Sequence, residues 1–199
     1  MIATSVSLPI MQPADHQPGP PQGRWTYATY AALPNDGQRY EVIDGVLYMA
    51  PAPMIPHQRI VGRIYRLLAT TVENTQIGEA FVSPIDVELS PNVVVQPDVL
   101  VVLSANVGII TPTRIIGAPD LVVEVSSPGT AGYDRRQKQD AYARGGVAEY
   151  WIADPLARTI EVLVLAAGSY RSQGVFQGAT TLPSLVLAQL PVTVEQFFA

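Results

Sequence analysis

Two carboxylates stand where their neighbours call for apolar side chains. Asp98 interrupts Val93-Val94-Val95-Gln96-Pro97-Asp98-Val99-Leu100-Val101-Val102, and Glu124 interrupts Leu121-Val122-Val123-Glu124-Val125. A carboxylate buried without a partner is costly, and the cost is offset by a metal ion, a cationic side chain or hydrogen bonds. Carboxylates that converge with open positions make a site for a hard divalent cation such as Mg²⁺ or Mn²⁺. Taken singly, either acid can instead face solvent or pair with an arginine. The basic residues narrow the choice: eleven of twelve are Arg, and the one lysine is Lys138. A compact ammonium differs from a guanidinium where a point charge or a shifted pKa is needed, although GC-rich coding produces the same bias. Lys138 follows Glu124 by 14 residues, enough to fold back over the end of the acidic strand.

The composition sets the frame for this chemistry. A chain of 199 residues without cysteine has room for one substantial core and excludes thiol nucleophiles, disulfides and thiolate zinc sites. Charged residues are 15% and hydrophobic ones 48%, with mean hydropathy +0.19, which describes a folded domain. The apolar runs are too short for a membrane helix, and the first basic residue, Arg24, comes too late for a secretory signal. A soluble cytoplasmic protein is the default. A net charge of −5 opposes indiscriminate attraction to nucleic acid, so any such binding needs a local basic patch.

The elements that must position these residues follow from pattern. Residues 1–23 hold five prolines and no hydrophobic period, and read as a flexible leader to a single domain over 24–199. Thr26 is placed to cap a short helix through Tyr30 and Leu33. Tyr40 to Ile43 and Val46 to Met49 flank Asp44-Gly45, a hairpin signal, with Glu41 on its first strand. Helical spacing predicts an amphipathic helix from His57 to about Thr71. Strands are expected over Phe81–Leu89, Val93–Leu103 and Asp120–Val125. A second helix over Tyr133–Arg144 is expected to turn Tyr133, Gln137, Ala141 and Tyr142 to one side and Arg135, Arg136, Lys138 and Asp140 largely to the other, ending at Gly145-Gly146. Strands near Glu149–Ile152, Thr159–Leu165 and Tyr170, then a short helix over Val192–Phe198, complete the α/β chain.

The motifs Pro97-Asp98 and Glu124-Val125-Ser126 resemble the PD-(D/E)xK nuclease pattern, and the wider sequence is similar to the Uma2 (DUF820) family of restriction-endonuclease-like proteins. The similarity runs from about Trp25 to Phe198. It includes Arg39-Tyr40-Glu41-Val42-Ile43-Asp44-Gly45, Pro51-Ala52-Pro53 with His57-Gln58-Arg59, Gln96-Pro97-Asp98, Ala118 to Val125, Tyr133 to Lys138 and Glu149-Tyr150-Trp151-Ile152. The resemblance implies a mixed-sheet α/β core that carries Asp98 and Glu124 into a metal site, with Glu41 as a further acid. The position two after the glutamate, lysine in the motif, is Ser126 here, and the resemblance implies that Lys138 serves in its place. His57, Gln96 and Ser126 are then expected around the first set.

The chemistry so implied is phosphodiester hydrolysis supported by Mg²⁺ or Mn²⁺, with Asp98, Glu124 and Glu41 as ligands and Lys138 orienting or deprotonating the attacking water. DNA is the expected substrate. Arg59, Arg63 and Arg66 on the first helix and Arg135, Arg136 and Arg144 on the second can face phosphates, or simply form solvated helix faces. Asp86 and Glu88 are expected to be exposed on one strand face, and Asp44 and Asp154 to form turns. The rival reading is a nuclease-like fold that binds nucleic acid or a protein without turnover. A homodimer through a sheet edge is a further expectation.

Overall fold

The computed structural model describes residues 11–126, 134–188 and 190–199. In chain order the elements are β1 (Gln12–Pro13), α1 (Tyr27–Tyr30), β2 (Arg39–Ile43), β3 (Val46–Ala50), α2 (Ile55–Asn74), β4 (Gly78–Val82), β5 (Val87–Ser90), β6 (Val93–Val95), β7 (Val99–Leu103), a 3₁₀ turn (Ser104–Ile109), β8 (Ile115–Ile116), β9 (Leu121–Val125), α3 (Asp134–Gly145), β10 (Glu149–Asp154), β11 (Thr159–Ala166), β12 (Ser169–Gln177) and α4 (Val194–Phe198). They form two mixed six-stranded sheets, ordered β1-β3-β2-β6-β5-β8 and β12-β11-β10-β9-β7-β4. The α/β class with mixed β pairing and an N-terminal hairpin is as the sequence implied. Among the described residues no helix is long and apolar enough to cross a membrane.

Two expected strands are each split. Val93–Leu103 breaks at Gln96-Pro97-Asp98, so that β6 lies in the first sheet and β7 in the second. Proline lacks the N–H a ladder needs, and the break turns the chain from one sheet into the other. Phe81–Leu89 breaks in the same way between β4 and β5.

The second sheet is covered on both faces. Val99, Val101, Leu121, Val123 and Val125 pack with Ile60, Val61, Ile64 and Leu68 of α2 and with Phe197 and Phe198 of α4. Leu100, Val102, Val122, Tyr150 and Ile152 pack with Val93 and Val95 of the first sheet and with Ala141 and Tyr142 of α3. Because side chains alternate along a strand, Asp98 and Glu124 share the face of Leu100 and Val122, between the two sheets. Glu41 has the parity of Ile43, which is in that same interior, whereas Tyr40 and Val42 join Trp25, Leu47 and Val94 in a separate cluster behind the first sheet.

The leader divides. Residues 1–10 lie outside the described residues, but from residue 11 the chain is laid against the hairpin, with Gln12 and Pro13 paired to Met49 and Tyr48. At the hairpin turn Asp44 and Gly45 have φ of 52° and 75°. A Cβ on Gly45 would meet the Gly23 carbonyl oxygen at 2.5 Å, so both the turn and the strap that crosses it require glycine there.

Candidate active site

Ladder pairing sets the first two acids beside each other. β7 and β9 are antiparallel with Leu100 opposite Val122 and Val99 opposite Val123, and continuing that register by one residue puts Asp98 opposite Glu124. Glu41 arrives from β2 across the gap between sheets. The corner residue Gln96 joins the two sides: its backbone N–H donates to Glu41 Oε1 at 2.8 Å, and two residues later Asp98 opens the second sheet.

Lys138 closes the site from α3. Its Nζ donates to Glu41 Oε1 and Glu124 Oε1, each at 2.9 Å, while the Tyr142 hydroxyl, one helical turn on, donates to the same Glu124 Oε1 at 2.6 Å. Lys138 is thus turned inward with Tyr142, not outward with the helix's charged residues as expected; the i, i+4 relation puts both over the acids. Asp98 Oδ2 accepts from Val125 N at 2.9 Å and from His57 Nε2 at 3.1 Å. The same imidazole nitrogen lies 3.1 Å from Val125 O. Two acceptors on Nε2 require the proton there, and the buried Nδ1 has no partner among the described residues.

Each carboxylate therefore has one oxygen taken by two protein donors. For Glu41 the second oxygen, Oε2, is buried and has no partner among the described residues. Glu41 is 1% and Asp98 5% exposed, so neither relies on water to carry its charge. Burial pushes the Glu124 carboxyl up to about 7, aided by the charges of Asp98 and Glu41 and opposed by Lys138 and the Tyr142 hydrogen bond. For Lys138 burial acts downward, but attraction to Glu124 and Glu41 outweighs it and holds the ammonium above its ordinary range. His57 is also held above its ordinary value: burial lowers it, and the hydrogen bond and charge of Asp98, with the charge of Glu124, overcome that effect.

Among the described residues no three His, Asp or Glu side chains meet in a geometry that would hold a metal ion. The ammonium of Lys138 bridges Glu41 and Glu124 instead. The donor chemistry nevertheless fits a hard cation, since three carboxylates border one interior and a buried oxygen of Glu41 lacks a donor among the described residues.

The remaining expectations separate clearly. His57 and Gln96 touch the acids, and the Gln96 side chain is itself fixed by Arg39 Nε at 3.1 Å and by Asp86 Oδ1 at 2.8 Å. Ser126 does not join them: its N–H and its hydroxyl both donate to Ala153 O, extending the β9 pairing to β10. Asp86 and Glu88 are half-buried rather than exposed, because Tyr30 OH donates to Asp86 at 2.8 Å and Arg114 pairs with Glu88 at 2.7 Å. Arg59 and Arg66 are exposed and Arg63 is half-buried. At about 100° per residue, Arg59 and Arg66 lie on the side of α2 away from His57 and the buried stripe, so they do not line the acid cluster. Arg136 is exposed, while Tyr133 and the Arg135 side chain lie outside the described residues. Arg144 reaches back to the hairpin turn, with bonds of 2.7 and 2.9 Å to the two oxygens of Asp44.

The helical pattern sets Tyr142 on one side of α3 without giving it a role, and its contact with Glu124 is the one that sequence reasoning missed. Its spacing of four from Lys138 was the available signal. Buried Glu149 was also missed; it accepts from Trp151 Nε1 at 2.6 Å and from Leu185 N and Val186 N at 2.7 and 3.1 Å. It is a structural anchor for the C-terminal segment.

Comparison with known proteins agrees with this architecture. No curated protein matches the chain. Five chains of solved structures do, among them one described as "a putative nuclease belonging to DUF820" from Anabaena variabilis ATCC 29413, at 20% identity and a TM-score of 0.72 over 87% of this chain and 97% of that one. At that identity the likeness concerns the fold. The family model Uma2, described as "Putative restriction endonuclease", matches residues 27–195. With that match spanning both sheets and every acid of the cluster, the chain belongs to the Uma2 family.

Proposed function

We propose that the protein is a divalent-metal-dependent nuclease that hydrolyses phosphodiester bonds of DNA. The observation that carries this reading is the convergence of Glu41, Asp98 and Glu124 with Lys138 from four separate elements. The fold of the family supports a nucleic-acid substrate.

Asp98, Glu124 and Glu41 would hold Mg²⁺ or Mn²⁺. Such an ion polarises a phosphoryl oxygen and makes water a better nucleophile near neutral pH. The chain's own groups do the rest. Val125 N–H and His57 fix one oxygen of Asp98, and Gln96 N–H fixes one oxygen of Glu41. Lys138, held charged by its two acids, supplies a positive point against the charge that grows on the phosphoryl group and orients the attacking water. Arg136, exposed on the helix that carries Lys138, is available to a phosphate flanking the cleaved bond.

Plasmid nicking in Mn²⁺ tests the reading. Wild type should convert supercoiled plasmid to nicked and linear forms, while Asp98→Asn and Glu124→Gln proteins of unchanged melting temperature should not. Equal cleavage by all three would overturn the assignment. Binding of DNA and Mn²⁺ without cleavage would favour the rival reading of a nuclease-like binding module. Sedimentation velocity tests the expected homodimer, which a monomer mass at all concentrations rejects.

A further inference from the structure

The Tyr142 hydroxyl is an ionisable group that the proposed reaction does not use. Tyr142 is fully buried, and its phenol is pushed well above its ordinary range by burial and by the charges of Glu124 and Glu41, so it remains a donor. Its ring stands against Tyr150 at 5.2 Å between centroids, and Tyr150 against Tyr170 at 5.7 Å. The Tyr170 hydroxyl in turn donates to Val147 O at 2.8 Å. Three tyrosine rings, tilted by 52° and 46° to one another, thus run in contact from α3 over β10 to β12 and fix where the Tyr142 hydroxyl sits.

That hydroxyl is aimed at one oxygen of one acid. Glu124 Oε1 takes both Tyr142 OH at 2.6 Å and Lys138 Nζ at 2.9 Å. A carboxylate has about four lone-pair sites shared by two oxygens, and two donors on Oε1 set the rotation of the whole group. Lys138 alone does not do so, because its ammonium is shared with Glu41 and its position answers to both acids. Tyrosine has two side-chain torsions, and here the ring contacts hold both.

We infer that Tyr142 is a positioning residue that orients the Glu124 carboxylate, reserving Oε1 for the protein and presenting Oε2 to the divalent cation. The inference rests on the reading of Glu124 as a cation ligand. It adds to that reading the group which decides which oxygen serves.

Tyr142→Phe removes the hydroxyl and keeps the ring contacts, so the fold is retained. Calorimetric titration of the full chain with Mn²⁺ at fixed pH is the measurement, with thermal melting of the same samples as the control for folding. Removing a partner that orients a metal ligand weakens metal affinity by about tenfold or more, and that loss is expected here. In the Glu124→Gln background, where the carboxylate is gone, adding Tyr142→Phe should change residual affinity no further, a non-additivity that a merely structural tyrosine would not show. Wild-type binding with an unaltered Tyr142→Phe titration overturns the inference alone. So does an equal loss in both backgrounds. Absence of any Mn²⁺ heat with wild type overturns the metal reading and the inference with it.

Discussion

Replacing Lys138 by Met removes the ammonium and keeps most of the stem, and the outcome can be worked from distances. At 2.9 Å from each of two carboxylate oxygens, each pair is worth about 6 kcal/mol of gross attraction at an effective dielectric of 20. Several kcal/mol of ammonium desolvation oppose that gain, and removing one member of a buried pair costs about 3–5 kcal/mol in practice. The side chains of Lys138 and Glu124 retain 14% and 16% of their exposure, so the lower end of that range applies. At about 2–4 °C per kcal/mol for a chain of this size, the melting temperature should fall by about 6–12 °C at neutral pH. The fall should depend on pH. A Glu124 carboxyl raised to about 7 contributes stability that is full below its ordinary 4.5 and is lost as pH rises through 7. A raised Lys138 contributes stability below its ordinary 10.5 and offsets that loss in wild type. Lys138 stays charged throughout this range and is one of the causes that hold Glu124 down, so without it the Glu124 carboxyl rises further and the variant should go on losing stability above pH 7, where wild type has levelled off. Mn²⁺ should restore it, raising the melting temperature of Lys138→Met more than that of wild type because a cation replaces the missing charge. Scanning fluorimetry at several pH values, with and without Mn²⁺, reads all of this. A variant that melts within about 2 °C of wild type at pH 8, or gains no more from Mn²⁺, would refute the argument.

Other consequences are simpler to state. Because the proton on Glu124 must leave before a cation is bound, apparent Mn²⁺ affinity should drop about tenfold per pH unit below 7 and level off above it; calorimetry across pH 5.5 to 8.5 checks the slope, and a flat profile rejects Glu124 as ligand. Glu149→Gln should destabilise the fold by roughly 1–3 kcal/mol, since an amide NH₂ must oppose one of the three donors now facing the carboxylate. Hydrogen exchange should then rise at Leu185 and Val186 while Mn²⁺ affinity stays as in wild type. Arg144→Ala removes an exposed pair with Asp44 whose side chains are 53% and 61% accessible; the cost should be at most about 1 kcal/mol and should vanish in high salt, which urea denaturation with and without added NaCl will show.

The acids were legible because they break a pattern. A carboxylate within a run of valines has few explanations, and parity along β7 and β9 then decides the face they share. The orientation of Lys138 was not legible from α3, whose charged residues make its inward side hard to tell from its outward one. Only contact with Glu124 and Glu41 settles it. The division of Val93–Leu103 between two sheets was hidden for a different reason: an unbroken apolar run reads as one strand, and Gln96-Pro97 marks a break without saying that the second half joins another sheet. The Ser126 side chain was drawn toward the site by its place in a motif, but its hydroxyl is spent on the Ala153 carbonyl.

That last displacement has an evolutionary corollary. Glu41 and Glu124 lie within strands and Asp98 immediately before one, where shifting the chain by one residue reverses a side chain's face, so the acids meet only in this register. The amine reaches Glu41 and Glu124 from a helix that is no part of either ladder, so its place in the sequence is not tied to a strand register. A search that demands lysine two residues after the glutamate will pass over such chains; one that scans the following helix, as far as the 14-residue separation seen here, will recover them.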